Sequence, residues 1–211
     1  QMCIRDRDMV VYHQRRRGTA HQRGQHCDRR RGTVWTLPVD LLMKGMSLST
    51  GRLVLFALLG AILVGLQVAM AALPNVEAVS LLVMVYTVVF GGAVAYILCV
   101  FVVLEMLIWG AGTWVISYLY VWAVLAVLAW ALRKMDSRLG WAILSGGFGL
   151  AFGALCALVY LPVGGFRMFA VTWVAGIPFD VLHCVSNFVI AFFLFAPCRR
   201  LLERLWEQAV Q

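Results

Sequence analysis

Apolar positions fall in long blocks, at roughly 53–73, 78–91, 93–110, 114–132, 140–161 and 177–197, with short polar connectors between them. A bilayer core about 30 Å thick takes about 20 apolar residues per helix. The pattern therefore predicts an all-α membrane protein with six transmembrane helices in a compact bundle. The second run ends early, at Gly91-Gly92, and is expected to form a tilted or partly interfacial helix. The first run has an alternative, because Arg52, the apolar stretch and AMAA at 69–72 follow the order of a signal peptide. Its apolar part exceeds the roughly 7–15 residues of a typical h-region, which favours a span.

Composition agrees: of 211 residues, 63% are hydrophobic and 13% charged, far from a soluble domain. The formal charge of +8 is uneven, since ten of the 18 Lys and Arg lie in residues 1–45. That segment has almost no apolar periodicity, cannot bury enough surface to offset its ordering entropy, and is expected to be disordered. Its opening, QMCIRDR, resembles translated adapter read-through, so residues 1–45 are read as a non-native tail with the true start at Met43 or Met46. The alternative is an Arg-rich arm for RNA or anionic lipid. No aromatic residue is interleaved with the arginine runs as in single-strand binders, so no nucleic-acid partner is expected. Residues 46–211 form the membrane domain.

Orientation follows from loop charge. With six spans and both termini cytoplasmic, Arg52, Arg133, Lys134, Arg138, Arg199, Arg200 and Arg204 lie inside and Arg167 alone lies outside. This is a clear positive-inside bias. The outer connectors are then 74–77, 110–113 and the long 162–176.

With directions assigned, each polar residue in an apolar run acquires a depth. Asp180 sits near the outer end of the sixth span, with His183 about 4.5 Å and Asn187 about 10.5 Å deeper on the same helix face. Glu105, embedded in FVVLEMLIW, lies below the outer end of the third span, and Trp109 at its mouth. Trp114 and Tyr118 begin the fourth span at that mouth, with Arg167 in the loop above. Ionisable groups at such depth face protein or water and point to function. Together these eight residues outline an outward-facing cavity with aromatic walls and a few directed polar groups, as in small-molecule sites. Plainer readings stand beside it: an interfacial belt for the tryptophans, a helix cap for Asp180 after Pro178, and interhelical hydrogen bonds for His183 and Asn187.

The first span carries small residues every fourth position, Ala57, Ala61, Gly65 and Ala69, a strip that admits close approach of another helix inside or outside the bundle. In the fifth span Gly149 and Gly153 are spaced for close internal packing. The chain has no P-loop, no H-E-x-x-H and no G-x-S-x-G. None of the six cysteines forms a C-x-x-C pair, so no metal site, cofactor or disulfide framework is expected.

Taken in order, ALLGA at 57–61, LPNVEAVSLLVMVYTVVFGG, GAGTWVISYLYVW and GIPFDVLHCVSNFVIAFFLFAPCRRLLERL resemble the substrate-binding S components of energy-coupling factor (ECF) vitamin transporters over roughly 46–205. The resemblance implies a non-enzymatic subunit of the bacterial inner membrane. Such a subunit captures a vitamin or related micronutrient at the outer face. It docks through its first helix, here Ala57, Ala61 and Gly65, onto a transmembrane scaffold carrying two ATPase subunits. It also implies substrate contacts at outer helix ends and loops, where Glu105, Tyr118, Arg167, Asp180, His183 and Asn187 fall. An aromatic-lined cavity suits cobalamin-sized and flavin-like ligands equally. Two rival expectations use Glu105, Asp180 and His183: an intramembrane enzyme, and an ion-coupled carrier with a proton relay.

Overall fold

The computed structural model describes residues 50–72 and 76–210; the tail expectation for residues 1–45 lies outside them. Among the described residues all regular structure is helical. Helix α1 is Thr50–Met70, α2 Val79–Phe90, α3 Val94–Trp109, α4 Thr113–Ala131, α5 Arg138–Ala157 and α6 Leu161–Val210. Four stretches are long and apolar enough to cross a membrane: Thr50–Met70, Val79–Trp109, Thr113–Ala131 and Arg138–Gln208. The second and fourth contain breaks. Gly91, at φ 58°, takes a left-handed conformation that side chains disfavour, and ends α2 before the single 3-10 turn Gly91–Ala93. A second 3-10 turn, Leu158–Tyr160, and non-helical Gly164 and Gly165 separate α5 from the main run of α6. At 12 residues α2 is only about 18 Å long, shorter than the hydrocarbon core.

The stretch 162–176 was expected as an outer loop and is instead helical apart from Gly164 and Gly165. Pro178 was the misleading signal: it was read as a helix start but sits inside α6, where it removes one backbone donor without ending the helix. The 45 residues after Gly165 (210 − 165) make a rod of about 68 Å, more than twice a bilayer core. Its first turns, including Phe166, Val171 and Val174, are exposed and stand clear of the other helices.

Aromatic contacts fix the alternating directions. Phe56 near the start of α1 lies 5.7 Å from Phe90 at the end of α2 and stacks at 6.4 Å on Tyr96 at the start of α3. Trp206 late in α6 meets Phe90 at 5.1 Å, and the Arg52 guanidinium lies 5.7 Å from the Trp206 ring. Trp141, three residues into α5, stacks on Phe195 of α6 at 4.2 Å. Here Ser137 caps α5, its hydroxyl accepting from the Gly140 amide at 3.1 Å. Apart from Arg167 near the start of α6, the described basic residues gather on this side. The opposite end holds the close of α1, α3 and α5 and the start of α2 and α4.

Two close approaches hold the bundle. A Cβ on Gly149 would lie 2.8 Å from the backbone oxygen of His183, and one on Gly153 would collide with the Asp180 carboxylate, so α5 and α6 touch backbone to backbone. Gly60 does the same for α1 and α3, against Val100 and the Ile97 carbonyl. The strip one position further round α1 is different: Ala57, Ala61 and Gly65 are exposed, and a Cβ on Gly65 would meet nothing within 4 Å.

Candidate functional site

At the end away from the basic residues, a cleft of about 270 Å³ opens between α1, α3 and α4, lined by Gln67, Glu105, Trp109, Trp114 and Tyr118. Sequence spacing builds it. Gly110, at φ 78°, ends α3, and α4 begins at Thr113, so the short link sets Trp109 and Trp114 on one rim. One turn down α4, Tyr118 meets Trp114 edge to face at 5.2 Å and stacks on Phe101 of α3 at 6.1 Å. Below it Trp122 packs among Phe101, Phe148 and Phe152, with centroids 5.7–5.9 Å away.

The cleft has a polar floor. The Gln67 amide donates to Glu105 Oε2 at 3.2 Å and to the Tyr118 hydroxyl at 3.5 Å. Glu105 is 1% exposed, yet its Oε1 has no hydrogen-bond partner, and neither has Gln67 Oε1. Buried polar atoms left unpaired cost about 1–3 kcal/mol each, so the cleft floor gains from any donor that enters it.

A second polar group lies on α6 and just before α2. His183 Nε2 is 3.2 Å from Glu77 Oε1, within ion-pair distance when the imidazole is protonated, though the two are not aligned as a hydrogen bond. The imidazole edge also meets the Phe152 ring at 4.9 Å. Asp180 does not cap α6, which runs straight through it. Its Oδ1 instead accepts from the Gly153 backbone amide of α5 at 2.9 Å, while Oδ2 is unpaired. Asn187, 1% exposed, leaves Nδ2 without a partner. Glu77 links the groups, being close enough to act electrostatically on Glu105 and Tyr118 and also on Cys156.

The structure thus brings Glu105, Trp109, Trp114 and Tyr118 to one cleft, whereas Asp180 and His183 face α5 and Glu77, and Asp180, His183 and Asn187 do not line that cleft. Arg167 does not join them: it is exposed, thirteen residues before Asp180 and so about 20 Å away along the helix. Sequence reasoning missed Gln67 and Glu77. Both had a signal, Gln67 as the lone polar residue in LVGLQVAM and Glu77 as the only charge between the first two apolar runs.

No family model, curated protein or solved structure matches the chain.

The geometry alone limits the chemistry. Among the described residues no three His, Cys, Asp or Glu side chains group as metal ligands. The volume falls just under the roughly 300–1,000 Å³ of small-molecule pockets, room for one or two rings and not for a cobalamin-sized ligand. Cys99, Cys156, Cys184 and Cys198 are free thiols.

Proposed function

We propose that the chain is the substrate-binding S component of an ECF-type importer, taking up a vitamin or related micronutrient. It crosses the bacterial inner membrane six times, with both termini cytoplasmic. The observation that carries this reading is the cleft: buried polar groups from α1 and α3, with aromatic rings from α3 and α4, meet at the end opposite all the described basic residues but Arg167. The positive-inside tendency makes that the outer end, where an importer must collect its solute. Glu105 and Gln67 place polar groups in that aromatic cleft, where a solute's donors could meet them.

The exposed face of Ala57, Ala61 and Gly65 supports a docking role. Small residues let a partner helix approach closely in lipid, where no hydrophobic force distinguishes protein from acyl chains. With no P-loop in the sequence, ATP hydrolysis belongs to the two ATPase subunits and reaches this chain through the scaffold.

Reconstitution tests the assignment. Proteoliposomes containing this chain, the scaffold and both ATPase subunits are expected to accumulate the solute only with internal or external ATP available to the ATPases. Uptake by the purified chain alone, without ATP, would show instead an autonomous carrier.

A further inference from the structure

The character of the cleft goes beyond its existence. Its floor offers acceptors: Glu105 and Gln67 line the space, and beyond the Gln67 amide and the Trp109 indole the Glu105 carboxylate has no donor beside it. Its walls are the rings of Trp109, Trp114 and Tyr118, whose faces carry negative quadrupole density. No lysine or arginine among the described residues is buried, and the imidazole of His183 is held against Glu77. Glu77 itself acts electrostatically on Glu105, so the surroundings add negative charge and no compensating cation.

A carboxyl group withdrawn from water with no cationic neighbour is neutralised either by a proton or by a bound cation, and a ligand that brings positive charge displaces the proton. Aromatic rings around a carboxylate form the arrangement that attracts ammonium and heteroaromatic cations from both sides. We infer that the cleft selects a small water-borne organic cation, its charge at Glu105 and its apolar body against Trp109, Trp114 and Tyr118. This rests on the solute-capture reading and narrows the substrate class to cations of one or two rings or fewer.

Three probes of one shape separate charge from fit: choline, neutral 3,3-dimethylbutan-1-ol and anionic 3,3-dimethylbutyrate. Titrated calorimetrically into the purified chain in phosphatidylglycerol nanodiscs, choline is expected to bind at least tenfold more tightly than either of the others. In Glu105→Gln, which keeps the side-chain shape, that preference is expected to vanish. Trp109 is 59% exposed, so Trp109→Leu leaves the apolar core in place while removing a ring and an indole N–H beside Glu105, and is expected to weaken choline more than the neutral probe. Equal or tighter binding of the alcohol or the anion, no choline binding, or an unchanged preference in Glu105→Gln overturns the inference. Nanodiscs with phosphatidylethanolamine distinguish the source: unchanged choline affinity supports a free solute, whereas competition would show a lipid headgroup as the occupant and overturn the water-borne assignment. Preference for the anion with ATP-dependent uptake intact would remove only the cation assignment. Preference for choline without partner-dependent uptake would remove only the importer reading.

Discussion

Ala61→Trp is expected to abolish ATP-driven uptake while leaving solute binding within about twofold of wild type. Ala61 is exposed on α1, and its neighbours on the strip, Ala57 and Gly65, are exposed too, so an indole there has room in the isolated chain. It would stand where a scaffold helix must come close, and a small-residue face tolerates no such projection. The cleft begins at Gln67, six residues further along α1, and is untouched. Normal uptake by Ala61→Trp, measured beside equilibrium binding in the same preparation, would refute docking through this face.

Gly149→Leu is expected to prevent the bundle from forming. The obstacle is backbone: the added Cβ would lie 2.8 Å from the His183 carbonyl oxygen and 3.0 Å from the Cys184 amide nitrogen, atoms that cannot rotate aside. Overpacking commonly costs about 1–3 kcal/mol where side chains can adjust, and more where they cannot. Separating α5 from α6 would also break the Gly153 to Asp180 hydrogen bond and move His183 off Glu77. Gly147 supplies the control, because it lies on the exposed side of the same helix and a Cβ there meets nothing within 4 Å. Gly147→Leu is expected to melt at or above the wild-type temperature in detergent, since leucine is the better helix former by roughly 0.8–1 kcal/mol. Gly149→Leu is expected to give little monodisperse protein. Equal melting temperatures for the two variants would mean that α5 and α6 do not meet this way.

Much of the fold was legible because lipid imposes a simple rule. Every backbone group must be paired within its own segment, so apolar length alone marks the helices. The breaks at Gly91 and Gly110 were legible for a related reason, glycine being the residue that accepts a left-handed turn. Where the sequence misled, competing signals were local. Pro178 resembles a helix start, and only the helix running from Phe166 shows that it lies inside one. Asp180 resembled a cap for the same reason, while its partner, the Gly153 amide, is 27 residues away in the chain.

The site was legible in its depth and not in its pairings. A polar residue in an apolar run announces itself, as Glu105 did, but periodicity cannot say which face of α1 meets α3. That is why Gln67, 38 residues from Glu105, was overlooked as the donor that ties the cleft floor together. Glu77 looked like a loop charge because it precedes α2, and its approach to His183 depends on how α6 leans against that helix start. Arg167 was placed at the mouth on the assumption of a folded loop, and a continuing helix carries it away instead.

The most direct test is calorimetric titration of the purified wild-type chain with a panel of vitamins and related micronutrients, with Glu105→Ala and Asn187→Ala measured in parallel. One compound is expected to bind with one-to-one stoichiometry, Glu105→Ala to lose at least tenfold in affinity, about 1.4 kcal/mol, while remaining folded, and Asn187→Ala, outside the cleft lining, to lose less than that. No binding by any compound, or binding that neither variant weakens, would show that these buried polar groups do not form a solute site.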